Sequence, residues 1–149
     1  MLRDHTSTYT FTSNLKYFST APNKIITWIK FLFKILHRYL AQLQTYNAGE
    51  YSGKLGRELK NFGNLWLPTE PYYPDYNFKA ERLNKTIADM ERTILNACGL
   101  PSIFWSYDYS CSNHVHNLLP NKQVAPLTPT EPLFGTEPHP SQLYPFGCR

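Results

Sequence analysis

The sequence predicts an α/β fold, and three observations carry that prediction. The chain has 149 residues, the size of a single domain, and 42% of them are hydrophobic, which suffices for a packed core. Apolar residues recur at helical spacing in two long stretches. Before and between these lie short runs rich in aromatic and β-branched residues, so strands and helices should alternate along the chain.

Each element has its own reason. Thr8–Phe18 shows partial alternation and reads as a strand or the two arms of a hairpin. Pro22 and Asn23 punctuate the chain. From Lys24 onward Ile25, Trp28, Ile29, Leu32, Phe33 and Leu36 define an amphipathic helix, with Lys30, Lys34 and Arg38 in an i, i+4 row on another face. Tyr39–Thr45 is a short strand, and Tyr46-Asn47-Ala48-Gly49 is the turn after it. Ser52 is the expected N-cap of a short helix carrying Leu55, Leu59 and Phe62, interrupted by Gly56 and ended by Gly63. Leu65-Trp66-Leu67 is a brief apolar run. Pro68, Pro71 and Pro74, with Tyr72, Tyr73 and Tyr76, then impose an extended or turning loop. A long helix should begin at Lys79, place Leu83, Ile87, Met90, Ile94 and Cys98 on one stripe, and stop at Gly99. Another should run from Ser102 to Pro120 with Phe104, Tyr107, Cys111, Val115 and Leu118 facing the core. Residues 121–149 hold six of the twelve prolines and should be mostly irregular.

Composition excludes several classes. Cys98, Cys111 and Cys148 contain no C-x-x-C pair and leave one cysteine over, which argues against a disulfide scaffold and for a reduced, intracellular chain. The most apolar stretch, Ile25–Leu43, is interrupted by four basic or imidazole side chains, so no membrane span is expected. The amino terminus lacks the apolar run of a secretory signal. His114 and His116, two apart on a helix, face different ways and do not form a zinc-chelating pair. Residues 1–67 hold nine bases and three acids, so a polyanion would meet the first half of the chain. Weak DNA binding without sequence preference is the partner this charge favours.

Four blocks in fixed order resemble the integrase catalytic core of copia-type retrotransposons. Leu43-Gln44-Thr45-Tyr46-Asn47-Ala48-Gly49-Glu50-Tyr51 is similar to that family's L-R-S/T-D-N-G-G-E-F turn. Pro71–Thr86, with Asn77, Glu81, Arg82 and Asn84, is similar to P-Y-T-P-Q-Q-N-G-V-A-E-R-x-N-R-T. Leu100-Pro101, Phe104-Trp105, Asn117 and Pro120 follow the pattern L-P-x-x-F-W and N-x-x-P. Thr128-Pro129-Thr130-Glu131, Gly135, Pro138 and Leu143–Cys148 complete the set.

The resemblance implies a ribonuclease H-like fold lacking its first strand, with a mixed sheet and flanking helices over residues 4–118 and a Pro-rich extension over 119–149. It implies DNA integration by phosphodiester transfer, with three carboxylates holding two Mg²⁺ or Mn²⁺ ions. Glu81 falls on the third acid. The second-acid position is Tyr46, 35 residues earlier, and a phenol does not replace a carboxylate as a ligand near neutral pH. The first acid belongs to an earlier strand; Asp4-His5-Thr6 is similar instead to the later segment D-D-x-S/T-R. Asn77, Lys79, Arg82 and Lys85 are the implied nucleic-acid contacts, and Glu50 and Asn47, which flank Tyr46 with oxygens near the lost acid, read first as turn residues. The family's zinc-binding His/His/Cys/Cys module has no counterpart here. A degenerate, inactive core is therefore expected, nuclear and capable of oligomerising by resemblance. The alternative is a non-enzymatic interaction module or an unfolded remnant of a mobile-element polyprotein.

Overall fold

Short apolar runs bounded by polar turns become short strands, and the two strongly periodic stretches become the longest helices. The computed structural model describes residues 1–37, 39–49, 51–70, 78–144 and 146–147, the side chain of Pro140 apart. Among them are β1 (Leu2–Arg3), β2 (Thr10–Phe11), α1 (Ala21–Leu36), β3 (Gln42–Thr45), α2 (Gly56–Asn61) and β4 (Leu65–Pro68). α3 (Phe78–Cys98), α4 (Trp105–Leu118) and α5 (Thr130–Phe134) follow. The architecture is mixed α/β. Among the described residues the strands pair as two ladders, β1 antiparallel to β2 and β3 parallel to β4, where a mixed sheet is expected from the sequence. The chain divides into two compact units, Leu15–Glu81 and the combination of Met1–Asn14 with Arg82–Arg149.

In the Leu15–Glu81 unit, α1 starts at Ala21, three residues before the expected Lys24. Pro22 lies in the first turn, where its missing N–H costs no hydrogen bond. Ile25, Ile26 and Ile29 are buried, together with Leu43 of β3 and Leu55 and Leu59 of the segment joining β3 to β4. Parallel strands need such a crossover. The crossover begins with a π-helical turn, Tyr51–Leu55, that runs directly into α2. Ser52 is not the expected N-cap: its hydroxyl donates to the Gly49 carbonyl at 2.9 Å and meets no helical N–H. Gly56 does not interrupt the helix but opens it, and a Cβ there would meet the Trp66 ring at 3.5 Å. Gly63, at φ +71°, supplies the left-handed turn after α2 that an L side chain resists.

In the other unit the expected strand over Thr8–Phe18 shrinks to Thr10–Phe11, half of a tight hairpin. Asp4 builds the turn, accepting bonds at 2.6 Å from both the backbone N–H and the hydroxyl of Ser7. Asn113 and Asn117 of α4 clasp β2: Asn117 Oδ1 accepts from the Thr10 N–H at 2.9 Å, and both amides donate to the Thr10 carbonyl. α4 therefore buries Asp108, Ser112, Asn113, Asn117 and Leu118, whereas Phe104 and Tyr107 of the expected core face are exposed. On α3, Leu83, Ile87 and Leu95 are buried, Met90 and Ile94 half-buried and Cys98 exposed, so the core stripe shifts by one position near the end. Gly99 ends α3 at φ +63°. The Pro-rich tail carries α5, whose Thr130 hydroxyl donates to the Asn117 carbonyl at 2.7 Å.

Candidate functional site

β3 ends under tight control. Its side chains alternate between exposed and buried, with Leu43 and Thr45 inward. Thr45 is held twice, because its hydroxyl accepts from the Trp66 indole N–H at 3.0 Å and its carbonyl accepts from the Thr69 N–H at 2.9 Å. The next residue, Tyr46, leaves the ladder from a fixed point and is 52% exposed.

Glu81 lies in the first turn of α3, where the helix dipole favours a negative charge. The two meet. The Tyr46 hydroxyl donates to Glu81 Oε1 at 2.6 Å, across 35 residues of chain. Both residues belong to the Leu15–Glu81 unit. The bond stabilises the phenol over the phenolate, and with partial desolvation and the Glu81 charge it pushes the Tyr46 pKa up to about 12. Tyr46 is thus a proton donor across the physiological range, and it occupies one of Glu81's two oxygens.

As a metal site this donor set does not fit. A divalent hard cation takes carboxylate and carbonyl oxygens, and a protonated phenol is neither. Among the described residues no three His, Cys, Asp or Glu side chains are grouped to hold a metal. Asn47 is exposed and makes no hydrogen bond among the described residues. Glu50, Asn77, Arg38 and the loop tyrosines Tyr72, Tyr73 and Tyr76 lie outside the described residues. Lys79, Arg82 and Lys85 are exposed on α3, and the first two have interaction partners. His114 Nε2 lies 3.3 Å from the Gln142 carbonyl, while Nε2 of His116 is buried without a partner.

Sequence reasoning missed Asp108. It is fully buried, and desolvation together with the charge of Glu91 raises its pKa against the smaller, opposing effect of the Leu95 backbone. The nearby Ser112 hydroxyl is buried and unpartnered. The only sequence signal was its i, i+4 spacing from Ser112 on a stripe containing the two clasping asparagines.

No protein-family profile matches the chain. It is similar to the retrovirus-related Pol polyproteins from transposons RE1 and RE2 of Arabidopsis thaliana, at 28% identity over 145 residues in each case. Those matches cover 97% of this chain and 10% of each polyprotein. The corresponding polyprotein from transposon TNT 1-94 of Nicotiana tabacum is 32% identical over 113 residues, covering 75% of this chain and 8% of that one. The chain thus spans about a tenth of the length of the curated relatives it matches. These similarities support a fragment of a retrotransposon polyprotein.

Proposed function

We propose that the chain is a degenerate fragment of a copia-type integrase catalytic core, and that it does not itself carry out the phosphodiester transfer such a core performs. The observation that carries this reading is the Tyr46–Glu81 hydrogen bond of 2.6 Å. The resemblance assigns these positions to the second and third metal-binding acids, and such a site requires the turn after a strand and the start of a long helix to converge. They do converge. The scaffold relationship is kept while the chemistry is removed, since a phenol in place of the acid leaves Glu81 without the carboxylate partner that two metal ions need. DNA remains the proposed partner, contacted through Lys79, Arg82 and Lys85 at the start of α3.

The test is direct. Purified chain with Mn²⁺ and a labelled DNA end should show neither 3′-end processing nor strand transfer. Activity that vanishes in Glu81→Gln would overturn the reading. Conversely, Tyr46→Asp supplied with an upstream segment bearing the first acid should gain calorimetric Mn²⁺ binding, and Tyr46→Asp alone should gain little. A folded combined variant with no gain would exclude Tyr46 as the second-acid position.

A second reading, a non-enzymatic interaction module, is favoured by one observation: Ile103, Trp105 and Tyr107 at the start of α4 are 77%, 57% and 67% exposed. Exposed apolar side chains of this size suit a protein contact. Replacing all three by serine should leave DNA binding unchanged and abolish any self-association seen by sedimentation.

A further inference from the structure

Formal charge is shared unequally between the two units. Leu15–Glu81 carries nine Lys and Arg against five Asp and Glu, whereas the other unit carries six of each, so the net charge of +4 resides in one unit. Within that unit the cations gather on two elements. α1 bears Lys24, Lys30 and Lys34 and no acid. The π turn and α2 bear Lys54, Arg57 and Lys60 against Glu58 alone. All six cations are exposed, and none of them is in an ion pair among the described residues.

Two contacts set these elements side by side. Lys54 Nζ donates to Asn23 Oδ1 at 2.8 Å, and Lys30 Nζ lies 5.9 Å from the centre of the Phe62 ring. Asn23 and Lys30 are close to two turns apart on one flank of α1, and Lys34 follows one turn later. Lys54 and Phe62 bracket α2. α2 therefore runs along the flank of α1 that carries Lys30 and Lys34, and its own cations widen that row.

Like charges held together in this way repel one another, and a polyanion relieves the repulsion while releasing its own counterions. Lys24 to Lys34 spans ~15 Å of helix, the length of about four phosphates of one DNA strand. Five of the six cations are lysines, which act as point charges on phosphates and lack the rigid fork that reads base edges. We propose that α1 and α2 together form a second nucleic-acid face that grips the phosphate backbone without reading sequence. It is separate from the α3 contacts and rests on the polyprotein reading only for the identity of the polyanion.

The test uses fluorescence anisotropy of a short labelled DNA duplex with the full chain at about 50 and about 200 mM salt. The triple variant Lys30→Gln, Lys34→Gln, Lys60→Gln should bind at least about tenfold more weakly at the lower salt and lose about three units of the salt slope. The triple variant Lys79→Gln, Arg82→Gln, Lys85→Gln should retain the α1–α2 contribution. Circular dichroism of both variants should match the parent, since all six side chains are exposed. Affinity and slope unchanged in the first variant overturn the proposal. Loss confined to the second variant also overturns it, yet leaves the integrase reading standing. Loss confined to the first supports this face and counts against the α3 contacts. Tighter binding to phosphatidylserine vesicles than to the duplex would replace nucleic acid by a membrane surface and overturn the proposal.

Discussion

Tyr46 carries its proton further into alkali than an ordinary tyrosine, because the Glu81 carboxylate accepts from the phenol and resists the appearance of a second negative charge. The folded-state pKa lies above the unfolded value, so the bond contributes stability in full below about pH 10 and loses it as pH rises towards about 12. Tyr46→Phe should therefore remove one late-titrating phenol from the ultraviolet difference spectrum. It should cost less than about 1 kcal/mol near neutral pH, since the pair is solvent-exposed. Asp108 works in the opposite sense at neutral pH. Its raised pKa means that the protonated form suits the fold, so its favourable contribution is present below the unfolded carboxylate value and is lost as pH rises through the folded one. Asp108→Asn should raise Tm at pH 7, and the gain should disappear in acid. The spacing of Tyr46 and Glu81 is legible in the sequence because a turn signal and a helix start bracket it. Their bond is not, because pairing across a crossover depends on how the helix start is seated against the strand end.

At the level of elements, hydrophobic periodicity describes α3 well and α4 only in part, since Leu118 is buried as expected while Phe104 and Tyr107 are exposed, and the difference lies in what each helix must satisfy. The buried residues of α3 are apolar, so Leu83 and Ile87 mark its buried stripe, and Gly99 at φ +63° marks its end. α4 meets the backbone of β2. The Thr10 N–H and carbonyl are buried in a ladder only two residues long, and they take partners from Asn113 and Asn117. Leaving the two buried Thr10 peptide groups without partners would cost about 1–3 kcal/mol each, together at least as much as Phe104 or Tyr107 would gain by turning inward. Periodicity weighs only the second quantity, hence the partial mismatch of the face. Asn117→Ala should leave the Thr10 N–H unpartnered and lower stability by about 1–3 kcal/mol in urea denaturation. A cost near zero would mean that water reaches the strand.

Each unit holds its own long-range contacts, Tyr46 with Glu81 among those of one and Thr10 with the α4 asparagines among those of the other. Hydrogen exchange should separate them. Asn117→Ala should speed exchange at Thr10 and Phe11 while Leu43 and Leu59 keep their protection, because the latter pack within Leu15–Glu81. The Leu15–Glu81 unit is continuous in sequence, whereas the other unit is assembled from the first fourteen residues and everything after Glu81. That discontinuity gives synthesis an order. Thr10 and Asn117 are separated by 107 residues, and at a ribosomal rate of roughly 5 to 20 residues per second the amino-terminal segment waits roughly 5 to 20 s for its partner to be made. During that interval Leu15–Glu81 completes its own set of contacts first, and residues 1–14, made before it, are enclosed after it.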